Sequence, residues 1–301
     1  MTMPNFLIIG SPKSATTSLY EYLKQHPEIY MSPNKEPHFF AFEGKQPDFV
    51  GPGDAEAWIN KSSIVDLTEY QKQFEGVTTE KAIGEASTMY LYLPEAIERI
   101  KYYIPDVKLI AILRHPVDRA YSHFLHLRRE GRERLTDFSA ALREEEQKIK
   151  NHWSPVWHYQ TVGLYSQQIQ RYYHHFERKN IKIYLYDDWV KNSNEMLKDI
   201  FTFLEVKEYL PDMSVKHNTS SFVLKNKRWN DWLTKPNPIK NILKQIIPAK
   251  IRKPMAAKAY RKNMELPPKL SLKERNKAIA IFREEIIQLQ TLINRDLSAW
   301  L

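Results

Sequence analysis

Residues 6–23 read FLIIGSPKSATTSLYEYL, and no other stretch so narrows what the chain can fold into. An aliphatic run ends at Gly10. Five hydroxyl side chains and one lysine follow within eight residues, and Leu19, Tyr22 and Leu23 then recur at helical spacing. A buried strand that turns through a polar loop into a helix is the opening unit of a parallel α/β sheet. The turn is also where such a sheet holds an anion: successive N–H groups at a helix N-terminus, backed by the helix dipole, favour negative charge. Lys13 adds a point charge, and Ser14, Thr16, Thr17 and Ser18 add hydroxyl donors, so the loop suits a phosphate group. The plainer alternative is a capped turn with an exposed lysine.

The loop departs from the G-x-x-x-x-G-K-[ST] pattern of nucleotide kinases and ATPases. Lys13 stands only three residues after Gly10, and the second glycine is missing. No strand end carries an acid suited to Mg²⁺. A phosphate held without a metal, and without γ-phosphoryl transfer, is therefore expected.

Two further runs, 107–114 (VKLIAILR) and 181–189 (IKIYLYDDW), read as strands of the same sheet, with 82–87 (AIGEAS) as a short fourth. Helical patterns alternate with them, which predicts one α/β domain over 1–301: a central parallel sheet flanked by helices. Residues 36–77 are Pro- and Gly-punctuated and aromatic, as in a loop and short-helix region near a cleft. The last helix is expected at about 272–297, with Ile279, Phe282, Ile286, Leu289 and Ile293 as its core stripe. Residues 225–263 differ from the rest: they are rich in Lys and Arg with four Pro, and read as an excursion from the core.

A second anion motif lies at 113–124, LRHPVDRAYSHF. Arg114 ends a predicted strand, where α/β sheets place ligands, and Pro116 is suited to start the next helix. A guanidinium there forks onto a phosphate, and Ser122, in the following helix, is placed to share it. A surface arginine and an unrelated helix serine are the alternative.

Together these residues match a family. GSPKSATTSLYEYLKQHP resembles the 5′-phosphosulfate-binding loop of sulfotransferases that use 3′-phosphoadenosine 5′-phosphosulfate (PAPS). LRHPVDRAYSHF is similar to their 3′-phosphate segment, with Arg114 and Ser122 at the matching positions. EPHFF (36–40) and 162–189 resemble stretches of the heparan sulfate branch. The resemblance covers most of 5–225 and implies the P-loop-like nucleotide-binding fold of that family. It also implies PAPS as co-substrate without a metal, and transfer of its sulfuryl group to a hydroxyl or amine of a carbohydrate or glycolipid acceptor. Lys13 would face the bridging oxygen where charge develops, and Ser14, Ala15, Thr16, Thr17 and Ser18 would complete the loop. The base of the heparan sulfate branch is a glutamate, and GEASTMYLYLPEAIERI places it at Glu85. Its neighbours Ile83 and Ala86 would desolvate it and raise its pKa to a useful value. A structural carboxylate is the alternative.

The chain departs from the family at three places. Ala86 stands where a lysine usually follows the glutamate, so that role is missing or supplied elsewhere, with Lys35 and His38 as candidates and a surface or packing role as the alternative for each. Ser14-Ala15 replaces a small residue followed by glycine. The late Lys-Gly-Arg phosphate clamp is not visible, and Lys216, Lys225 or Lys227 would have to replace it.

Net charge is +9, which suits an anionic partner but does not choose among them. A basic membrane-surface or nucleic-acid binding protein is one alternative, and a Mg²⁺-dependent nucleotide kinase is another. Residues 228–258 fit peripheral membrane contact better than nucleic acid. No leader and no membrane-spanning run is found, so a cytoplasmic protein, peripheral at the membrane through 228–258, is expected.

Overall fold

The computed structural model describes residues 2–214 and 268–301, with 223–224, 254, 259, 262 and 264–265 between them. The basic excursion, the proposed membrane contact at 228–258 and the clamp candidates Lys216, Lys225 and Lys227 lie outside the described residues.

The first half runs β1 (Phe6–Gly10), α1 (Thr16–Leu23), β2 (Ile29–Met31), α2 (Phe39–Phe42), α3 (Trp58–Ser62), α4 (Leu67–Lys72) and β3 (Ala82–Ala86). It continues through α5 (Glu95–Tyr103), β4 (Lys108–Leu113), α6 (Pro116–Arg129), α7 (Phe138–Arg143) and α8 (Glu145–Lys150). Then follow α9 (Tyr165–His175), β5 (Ile181–Leu185), α10 (Tyr186–Phe203) and, beyond the excursion, α11 (Leu272–Ile293). No described helix is long and apolar enough to cross a membrane.

The five strands of the main sheet are parallel and ordered β2-β3-β1-β4-β5, and among the described residues Val223–Leu224 and Met264–Glu265 form a separate antiparallel pair. Alternate residues serve opposite faces, as the strand pleat demands. Leu7, Ile9, Leu109, Ala111 and Leu113 face a core shared with α5, α6, α9 and α11, whereas Phe6, Ile8, Ile110 and Ile112 face α1 and α10. Because both faces are covered, β1 and β4 read as continuous apolar runs rather than alternating ones. Gly84 in β3 admits the Phe6 ring, since a Cβ there would lie 2.2 Å from it.

The sheet differs from the sequence reading at its edges. β2 has three residues, too short to stand out as a run. The third predicted strand stops at Leu185, and α10 starts at once with Asp187 and Asp188 in its first turn, where carboxylates complement the helix dipole. α11 buries Phe282, Ile286 and Leu289 of the expected stripe, and Pro116 occupies the first turn of α6. Strand order reverses between β1 and β4, so the crevice at their carboxyl ends is the switch point. Gly10 and Arg114 stand there.

Candidate active site

The loop after β1 is held from below. Ser11 donates its N–H to the Ile112 carbonyl at 2.9 Å, and its Oγ lies 2.8 Å from that of buried Ser14. Lys13 and Ala15 both adopt left-handed backbone, φ 68 and 65. Such alternation is the backbone form of an anion nest, and each non-glycine residue held there costs about 1 kcal/mol. Ala15 is the N-cap of α1 and offers no side-chain cap, so the first N–H groups of the helix lack one. The glycine of the family's loop is thus not required for the left-handed turn; alanine takes it with the strain. Burial, and then the charges of Arg129 and Arg114, lower the Lys13 pKa to about 8.

Arg114 closes the loop onto β4. Its Nη1 donates to the Lys13 carbonyl at 3.0 Å, and its guanidinium sits 4.7 Å over the Tyr186 ring. Tyr165 donates its hydroxyl to the Arg114 carbonyl at 3.0 Å. The arginine is therefore preset. Asp118 and Arg275 form a two-pronged ion pair, 2.5 and 3.2 Å, that joins α6 to α11 beside it.

A cleft of about 2170 Å³ opens over these residues. Lys13, Ser14, Ala15, Thr16, Thr17 and Ser18 line it, together with Arg114, Ser122, Lys35 and His38. Tyr22, Tyr186 and Trp189 add an aromatic shelf, with the rings of Tyr22 and Trp189 stacked at 5.9 Å. Trp58, half exposed, lines the cleft as well and donates its indole N–H to the Glu36 carbonyl at 3.1 Å.

Glu85 is not on that wall. It is fully buried, with Oε1 accepting from Tyr70 at 3.3 Å and Oε2 accepting from Ser87 at 2.9 Å. Burial raises its pKa to about 8 against the pull of these hydroxyls. Four carboxylates do line the cleft, those of Glu36, Glu56, Asp118 and Glu130, and Glu36 is the one held beside Lys35 and His38. Thr88 donates both its N–H, at 2.8 Å, and its hydroxyl, at 3.1 Å, to it. Lys35 Nζ lies 2.6 Å away and His38 Nε2 3.2 Å. Burial would raise the Glu36 pKa, but the Lys35 charge and the His38 hydrogen bond outweigh it and hold the group well below the usual carboxylate range. Glu36 and His38 are themselves left-handed, φ 61 and 58. Two strained positions in one bend persist only where surroundings fix them, and they cluster at functional sites. Here Ser87 supplies the fixing: its Oγ accepts from the His38 N–H at 3.0 Å and donates to Glu85.

A family model described as the sulfotransferase family matches residues 4–211. The chain belongs to that family. Among solved structures, a sulfotransferase from Alicyclobacillus acidocaldarius is similar over 100% of this chain and 99% of its own, at 33% identity and a TM-score of 0.77. Carbohydrate sulfotransferase 15 of mouse is 26% identical over 251 residues, 68% of this chain and 44% of the relative. Human heparan sulfate glucosamine 3-O-sulfotransferase 6 is 28% identical over 176 residues, 58% and 44% respectively. The membrane-associated sulfotransferase kil1 of Dictyostelium discoideum is 32% identical over 127 residues, 41% and 23%. The chain thus spans less than half the length of these curated relatives.

For this sulfotransferase, the residues that sequence reasoning passed over are Glu36, Trp58, Tyr186, Trp189 and the inner face of α6. Glu36 stood in the quoted EPHFF without a role. Its only local signal was an acid two residues before a histidine. The partners that define it, Thr88 and the left-handed bend, come from the tertiary fold.

Proposed function

We propose that this sulfotransferase moves the sulfuryl group of PAPS to a hydroxyl or amine of a carbohydrate acceptor. One observation carries the reading: a single cleft joins a left-handed lysine loop, a preset arginine and an ionised carboxylate. The Lys13 loop would take the 5′-phosphosulfate. Arg114 and Ser122 would take the 3′-phosphate, and the Tyr186–Trp189 shelf the adenine. The carbohydrate acceptor rests on the names of the relatives.

Glu36 is the base this geometry supports, in place of Glu85. A base must come within hydrogen-bond reach of the proton it takes, and geometry ranks before pKa. Glu85 has the better-matched pKa but is sealed behind Ser87, whereas Glu36 is ionised and at the wall. Transfer then balances simply. The acceptor oxygen, or nitrogen, bonds to sulfur in line as the bond from sulfur to the bridging oxygen breaks. The acceptor proton passes to Glu36. The electron pair stays on the leaving phosphate of 3′-phosphoadenosine 5′-phosphate (PAP), where Lys13 meets the new charge. Glu85 acts through Ser87 as a positioning group for the 36–38 bend.

The test is a sulfate-transfer assay with unsulfated uronate–hexosamine oligosaccharides, run on Glu36→Gln and Glu85→Gln. Glu36→Gln is expected to keep PAP affinity and lose about a hundredfold or more in kcat. Glu85→Gln is expected to retain most turnover. Loss of turnover in Glu85→Gln with intact folding, and retention in Glu36→Gln, would return the base to Glu85.

A further inference from the structure

One pair of buried groups has no task in that scheme. Arg119, in the first turn of α6, is fully buried. Its Nη1 lies 3.1 Å from His123 Nδ1, its Nη2 donates to the Tyr159 carbonyl, and its Nε is sealed without a partner among the described residues. A guanidinium only donates and stays charged. His123 Nδ1 must therefore present its lone pair, and the neutral ring then carries its proton on Nε2. Burial, and then the charge of Arg119, hold the His123 pKa well below its ordinary value. Lys13 from the first loop, His126 from α6 and His158 from the segment before α9 act in the same direction.

The other ring nitrogen is open. His123 Nε2 has no protein partner among the described residues. It is also not one of the sealed unpartnered atoms, which are His115 Nε2, Arg119 Nε, Gln168 Oε1 and Arg171 Nε. The ring lines the cleft that Lys13 lines, one residue beyond Ser122. Buried polar atoms are as a rule hydrogen-bonded, and the His115 Nε2 that lacks a partner is sealed from the cleft, whereas His123 Nε2 is not sealed. This ring spends a buried arginine to fix one nitrogen and leaves an N–H at the wall of an anion site.

We propose that His123 Nε2–H donates a hydrogen bond to a sulfuryl oxygen of PAPS, with Arg119 as the positioning residue that fixes the tautomer. A neutral donor suits that place. It stabilises the oxygens of the transferring group and holds no exchangeable charge that would compete with Glu36 for the acceptor proton. The inference rests on the PAPS reading above.

The experiment needs no acceptor. PAP and PAPS are titrated calorimetrically, in EDTA, into the full chain and its His123→Leu and His123→Gln variants. PAP, which lacks the sulfuryl group, is expected to bind all three within about twofold. PAPS is expected to bind His123→Leu about tenfold more weakly, the effect of one hydrogen bond to a charged group. His123→Gln, which keeps an N–H donor, is expected to recover most of that loss. Unchanged PAPS affinity in His123→Leu overturns the proposal, as does equal weakening of PAP and PAPS. Failure of the unaltered protein to bind either nucleotide overturns the PAPS reading instead. Should His123→Leu not fold, ¹⁵N spectra of the histidine rings in the unaltered protein decide, assigned through His123→Gln. An Nε2–H tautomer that does not titrate between pH 5.5 and 8, and whose Nε2 resonance moves with PAPS more than with PAP, is expected. An Nδ1–H tautomer, or titration near the ordinary histidine value, overturns the proposal.

Discussion

Lys13 must stay charged to meet an anion, yet it is set among arginines and partly buried. Its pKa of about 8 is the result, and it has a consequence for binding. A bound anion favours protonated Lys13, so PAP affinity is expected to fall as pH rises through 8, by up to about tenfold per unit. Calorimetry between pH 6.5 and 9.5 reads this, and Lys13→Arg is expected to flatten the profile. Glu85 gives the opposite case. Its folded pKa of about 8 exceeds that of a free carboxyl, so the folded chain holds a proton that the unfolded chain releases. Stability is therefore lost as pH rises from about 4.5 to 8. Glu85→Gln is expected to raise Tm more at pH 8 than at pH 5; an equal shift at both would mean the buried carboxyl does not carry that proton. The same residue shows where reading the sequence reached its limit. Apolar neighbours did signal desolvation at Glu85, and the raised pKa is there. The fold also buries the carboxyl behind Ser87, away from the cleft, which no local pattern reveals.

Among the elements, β1, β4, α6 and α11 were legible because local signals and packing agree. Their apolar runs are buried, Pro116 sits where the helix begins, and the 279–293 stripe turns Phe282, Ile286 and Leu289 inward. β2 and the end of β5 were not. A three-residue edge strand carries too few residues for a pattern, and Tyr184–Trp189 reads as strand or helix until Asp187 and Asp188 meet a helix dipole. Residues 36–38 were the least legible, since their left-handed bend is held by Ser87 and Thr88, which follow β3. Besides the Arg275–Asp118 pair, α11 is fastened through Phe282 in the core and through Glu285, whose carboxylate accepts from Ser166 at 2.5 and 2.7 Å. Phe282→Ala is expected to cost about 3–5 kcal/mol in denaturant unfolding, as for a buried aromatic truncation. A loss under 1 kcal/mol would mean that α11 does not pack as described.

For the molecule as a whole, the strand order places the two proposed anion-binding ends side by side. β1 delivers the Lys13 loop and β4 delivers Arg114 at the point where the sheet reverses direction, and Arg114 bonds the loop itself. The +9 charge fits the proposed anionic co-substrate and products, though charge alone left the class open. The central claim is that one cleft grips a nucleotide at both of its phosphates. Metal-free calorimetric titration with PAP and with AMP, which lacks the 3′-phosphate, tests it most directly when run on the unaltered chain and on Arg114→Ala. PAP is expected to bind the unaltered chain at least about tenfold more tightly than AMP, and Arg114→Ala is expected to weaken PAP more than AMP and so remove most of this preference. Equal affinity for PAP and AMP in the unaltered chain, or a preference that survives in Arg114→Ala, would contradict it.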